Sequence, residues 1–140
     1  LLVAVLEKWR INATESVISN LRFKHTNPKD QLNSLAALPF KGKRAFDAAS
    51  TELALRAWAR RDKLTRSTLD EIDNYRVSFI QSLFNEVNND KQESEDLAFL
   101  FYSYLIMSSL LPANKSESES QKQGERIIDL LLSSGNKSKG

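Results

Sequence analysis

The chain has 140 residues, 27% of them charged and 41% hydrophobic, with four glycines, three prolines and no cysteine. This is one domain, long enough to bury roughly two-thirds of its unfolded surface, and its composition excludes a disordered chain, a disulfide framework and thiolate chemistry. A formal net charge of +2 is too small to argue for nucleic-acid binding by itself.

The opening LLVAVL is six apolar residues followed at once by Glu7 and Lys8, too short an apolar run for a secretory signal. It has no initiator Met and no Ser, Thr, Asp or Asn cap, and so reads as a helix entered part-way, in a chain whose N-terminal part is missing. The helix is expected to run from Leu1 to about Lys24. Its apolar stripe is Leu2, Leu6, Trp9, Ala13 and Val17, widened by Ile11, Ile18 and Leu21. Glu7, Lys8, Arg10, Glu15 and Arg22 fall on the wet side. HTNP (25–28) stops it and starts a short helix with Leu32, Leu35 and Ala36 inward, ended by Pro39. His25, the only histidine, reads as a helix-end residue rather than a ligand, having no Cys or second His to share a metal. Lys41 to Arg44 (KGKR) reads as a solvated loop rather than a binding patch.

Two helices follow, Phe46 to Arg61 and about Thr65 to Asn88. The first places Leu53, Ala57 and Trp58 on one side and Arg56, Arg60 and Arg61 mostly on the other. Asp62 and Lys63 interrupt the pattern. The second carries Leu69, Ile72, Arg76, Phe79, Ile80, Leu83 and Val87 at helical spacing, capped by Thr65 or Ser67. Asp73 and Arg76, three apart, read as a helix-surface ion pair.

Asn88 to Ser94 reads as a polar turn. Leu97 to Leu111 then carries no charge and is apolar nearly all round, so it must be covered on every side, yet it is too short to span a bilayer. One face (Leu97, Phe101, Tyr104, Leu105, Ser108) suits the chain's own core. The other (Phe99, Tyr102, Ile106, Leu110) suits a partner copy. Pro112 is expected to end this helix. The last one, about Glu117 to Ser133, has a narrow stripe of Ile127, Ile128, Leu131 and Leu132, with Gly124 one turn earlier as a point of close helix approach or an incidental surface glycine. GNKSKG reads as a frayed tail. The total is six helices and no strand.

The wording of residues 53–84 adds to the spacing. Leu55, Arg56, Trp58 and Asp62, then Asp73, Arg76, Phe79, Leu83 and Phe84, resemble the effector-binding region of the tetracycline-repressor (TetR) family of bacterial regulators. There, a helix ending in Leu-Arg-x-Trp precedes a long helix carrying Asp-x-x-Arg and apolar positions. The resemblance covers nearly the whole chain and is sharp from Leu53 to Tyr102. Where members often have a small residue late in the penultimate helix, this chain has Met107 followed by Ser108. The family's helix-turn-helix is not in the chain.

The resemblance implies an all-α, six-helix regulatory domain over residues 1–140, with 1–24 as the connecting helix from a DNA-binding domain. It implies a cytoplasmic homodimer whose last two helices form a four-helix bundle with a second copy. The expected interface is Phe99, Ile106, Leu110, Gly124, Ile127, Ile128 and Leu131. It also implies a repressor released from operator DNA by a small hydrophobic or aromatic effector, with operator contact only through the missing domain.

Trp9, Phe46, Trp58, Tyr75, Phe79 and Tyr102, at inward or near-inward positions, are the candidate effector-binding residues. Taken one by one they read as core aromatics, and that together they line a cavity is what the resemblance implies. No Gly-rich phosphate loop, Cys/His cluster or nucleophile elbow is present, so neither an enzyme nor a cofactor or metal is expected. The alternative is a stand-alone helical interaction module whose penultimate helix docks a different protein.

Overall fold

The computed structural model describes residues 2–111 and 115–137. Helices α5 (Lys63–Val87) and α6 (Lys91–Leu110) form its central hairpin. On α5 the buried apolar side chains are Leu69, Ile72, Phe79, Ile80, Leu83 and Phe84, recurring at three-, four- and seven-residue spacings as one face of a helix requires. Leu97, Ala98 and Phe101 of α6 close over them. Phe84 and Phe101, both fully buried, meet edge to face with ring centroids 6.2 Å apart, the arrangement the ring quadrupoles favour.

The other elements surround this pair. α1 (Leu2–Arg10), a π-helical segment (Ile11–Glu15) and α2 (Ser16–Lys24) run without a break. α3 (Pro28–Ala37) leads through a 3₁₀ turn (Leu38–Phe40) to α4 (Gly42–Trp58), and α7 (Glu117–Lys137) packs chiefly on α3. With the first three segments counted as one rod there are six helices and, among the described residues, no strand. No helix of the described residues is long and apolar enough to cross a membrane. Leu1, the side chain of Leu2, residues 112–114 with the expected stop at Pro112, the side chains of residues 134–137 and the last three residues lie outside the description.

Helix starts are set by side-chain caps. Asn27 accepts from the Lys29 backbone N–H at 2.8 Å with Pro28 in the first turn, and Asp90 accepts from Glu93 N–H at 3.2 Å. The cap of α5 is Asp62, not Thr65 or Ser67: its carboxylate accepts both the Thr65 N–H (2.9 Å) and the Thr65 hydroxyl (2.7 Å). Thr65 itself is fully buried, and Asp62 satisfies its hydroxyl. α6 therefore begins inside the stretch expected to be a turn, at Lys91. His25 Nε2 lies 2.9 Å from Ser34 Oγ and ties the helix end to α3.

Three corrections concern helix faces. The π segment, closed by the Ser16 N–H bonding to the Ile11 carbonyl, inserts an extra residue into the 3.6-residue register. Thr14 consequently turns inward and is buried, while Ile11 turns out. The KGKR stretch is mostly the first turn of α4, entered through Gly42 at φ +76°, a conformation that favours glycine. Finally, Gly124 and Ile128 face the chain's own interior rather than a partner. Ile128 is 0% exposed within the core cluster, and a Cβ on Gly124 would lie 3.1 Å from the Ala36 Cβ of α3. α7 approaches α3 so closely there that an added methyl group would press on Ala36.

Candidate ligand cavity and its charged end

α4 buries none of its 17 residues. It stands away from the core because a cavity of about 740 Å³ lies beneath it, walled by the α1–π–α2 rod, α5 and α6. Residues 41, 44, 45, 48, 49, 52, 53 and 56 of its start and body line that cavity. They share one helix face and extend over about 22 Å at 1.5 Å per residue.

One end of the cavity is a charged network. Arg56 grips Asp73 with both terminal nitrogens, at 2.7 and 3.2 Å, and also donates to Glu52 at 3.1 Å. Arg76 holds the other oxygen of Glu52 at 2.9 Å. Tyr102 sits between them, donating to Asp73 at 2.5 Å and accepting from Arg76 at 3.2 Å. Arg76 also reaches the Ala13 carbonyl in the π segment at 3.4 Å, and its guanidinium lies 6.0 Å from the Trp9 ring centroid. Asp73 and Arg76 thus do not form the expected surface pair. Each crosses to α4, because their side of α5 faces that helix rather than water. Arg56, expected mostly opposite Leu53, Ala57 and Trp58, is the hub.

Two carboxylates and two guanidiniums balance. Burial alone would raise the Asp73 carboxyl, but hydrogen bonds from Arg56 and Tyr102 and the charges of Arg56 and Arg76 outweigh it and hold the group below its ordinary value. The hydrogen bond to Asp73 raises Arg56, against burial. Burial disfavours a charged Arg76, yet Glu52 and Tyr102 leave it raised. The Tyr102 phenol is pushed up to about 12 by burial, with the Asp73 hydrogen bond adding and Arg76 opposing.

A pH test follows from Tyr102. A phenol raised from 10.0 to about 12 contributes stability that is fully present below pH 10 and lost as pH rises toward 12, roughly 2–3 kcal/mol in all. Asp73 has the opposite sign: its contribution is present above the ordinary carboxyl value and lost as pH falls below it. In urea titrations the stability gap between wild type and Tyr102→Phe is expected to narrow by roughly 2 kcal/mol between about pH 9 and about pH 12. An unchanged gap would mean that the phenol is not held neutral by its surroundings.

Of the six candidate effector residues, Trp9, Phe79 and Tyr102 line the cavity. Phe46, Trp58 and Tyr75 do not, and their exposures of 70, 49 and 47% place them on the outside. They sit on the parts of α4 and α5 that face solvent. Sequence reading missed Glu52, whose spacing four before Arg56 is a readable signal, and the small residues Ala45, Ala48 and Ala49 that leave room for the cavity. Ile106 and Leu110, expected at a partner interface, also line the cavity.

α6 therefore has three faces rather than two. Leu97 and Phe101 enter the core, Tyr102, Ile106 and Leu110 border the cavity, and Phe99, Leu100 and Met107 are exposed. On α7, Leu131 packs at the core edge, Ile127 is half-buried, and Leu130 is 69% exposed. Among the described residues no group of His, Cys, Asp or Glu is arranged to hold a metal ion. In comparisons with known proteins, no family model matches the chain, and no curated protein or solved structure gives a significant match.

Proposed function

We propose that this chain is the effector-sensing and dimerisation domain of a TetR-like transcriptional regulator, acting as a repressor. The observation that carries the reading is that three residues of the resemblance, Arg56, Asp73 and Arg76, meet at the end of one cavity. There they join α4 and α5 to the first helix through the Ala13 carbonyl. A cavity of this size is within the range of small-molecule sites. The reading is of a binding protein, with no catalytic step assigned to it.

In this reading the DNA-binding heads are joined to the start of α1, and the mechanism is linkage. A ligand that prefers the arrangement with displaced heads weakens operator binding by the same coupling energy. The route is short: a molecule beside Trp9 and Arg76 bears directly on the π segment, a helix geometry that recurs at functional sites. Two heads on a dimer must match half-sites about 34 Å apart or a related spacing, so a small displacement of each α1 suffices for release. In this reading the second copy docks on the exposed α6 face and on the exposed Leu130 of α7.

The test is a binding titration at fixed salt on a palindromic sequence upstream of the gene. The 140-residue chain alone is expected to show no sequence selectivity, whereas the same chain joined to its preceding segment binds tightly and is released by a cavity ligand. Selective binding by the chain alone, or indifference of the longer protein to every palindrome, would sink the reading.

A further inference from the structure

Beyond the network, the cavity has an unbalanced charge. Its lining holds four basic side chains, Lys41, Arg44, Arg56 and Arg76, and one acidic one, Glu52. Asp73, behind the wall, joins Glu52 in neutralising Arg56 and Arg76. Lys41 and Arg44 are left over. Among the described residues neither has a carboxylate partner, and both are exposed at the cavity's rim.

The rest of the lining is mainly apolar: Ala45, Ala48 and Ala49 of α4 with Val17, Leu105 and Ile106 of the other walls, and the neutral polar Asn12, Asn20 and Ser109 among them. From Arg44 to Glu52 the helix rises about 12 Å. The network at the far end has its charges paired, so it neither needs nor rewards a second ion there.

From this we infer that the cavity takes an anionic amphiphile: a carboxylic acid whose acid group rests at Lys41 and Arg44 and whose apolar body lies along the alanine face of α4. The inference rests on the effector-cavity reading above and names the chemical class of its ligand. A neutral apolar molecule would leave the two rim cations without an anion. A cationic one would be repelled by them, and the one carboxylate in the lining, Glu52, is already engaged.

The test uses decanoate as probe, with decanol, decyltrimethylammonium and butyrate as comparisons, all below their micelle concentrations. The protein carries Trp58→Phe, so that Trp9, the other of its two tryptophans, reports from the cavity wall. Decanoate is expected to bind about tenfold tighter than decanol, a difference of ~1.4 kcal/mol, and butyrate and the cationic amphiphile to bind weakly. Lys41→Ala/Arg44→Ala should erase the preference for the acid while leaving decanol binding unchanged. The exposed pair Lys63→Ala/Arg66→Ala, away from the cavity, should do neither. Ala48→Phe should block both acid and alcohol.

If decanol or the cationic amphiphile binds as tightly as decanoate, or if the control pair weakens decanoate as much as the rim pair, the inference falls while the cavity reading stands. If no amphiphile binds, or if Ala48→Phe leaves binding unchanged, both fall.

Discussion

Replacing Arg76 by alanine is expected to lower the free energy of unfolding by about 3 kcal/mol. Arg76 is largely buried, its side chain 18% exposed, and its partner Glu52 is 16% exposed. Without Arg76, two carboxylates share Arg56 in a place with little water to screen them. Removing one member of a buried ion network strands charge, whereas removing a balanced pair need not. The double variant Arg76→Met/Glu52→Leu should accordingly recover much of the loss. Urea titrations of the wild type, Arg76→Met, Glu52→Leu and the double variant give the coupling directly. A loss below about 1 kcal/mol for Arg76→Ala would mean that the network is solvated and behaves as a surface array. The same variant also removes the bond to the Ala13 carbonyl, so hydrogen exchange in residues 11–15 should quicken locally.

The second large effect separates core from interface on the last two helices. Ile128→Glu places a charge at a position with no solvent exposure and is expected to unfold the chain, costing about 4 kcal/mol or more. It therefore cannot serve as a probe of dimerisation. Phe99→Glu is the probe. Phe99 is 66% exposed, so the charge is solvated in the monomer and should change its stability by at most about 0.5 kcal/mol. In the proposed dimer it is buried against a partner, in an interface expected to cover roughly 2,000 Å². Sedimentation at micromolar concentration should show a wild-type dimer and a folded Phe99→Glu monomer near 15.9 kDa. A wild-type monomer at that concentration would remove the dimer from the proposal.

Helix existence was legible from residues alone because each helix announces its apolar face at a period the backbone imposes. The inward series on α5, from Leu69 through Leu83, lies where its spacing puts it, and the six-rod count follows from breakers such as Pro28 and Asp62. Helix ends were less legible. The Asp62 cap was masked by equally plausible caps at Thr65 and Ser67, and only the hydrogen bonds to Thr65 choose between them.

The cavity and its charged end belong to the tertiary structure. Phe46, Trp58 and Tyr75 share helices with residues that do face inward, and composition cannot tell an aromatic that fills a core from one turned to water. Spacing also misread the first helix, since a π turn shifts the register at a point no periodicity marks. Asp73 and Arg76 are close enough in sequence to pair with each other. They pair instead with Arg56 and Glu52, some twenty residues earlier, because α4 meets α5 at the end of the cavity. Local sequence determines which faces are apolar. Which face meets core, cavity or water depends on where the other helices come to rest, and that was decided by burying Leu32, Phe84, Phe101 and Ile128 together.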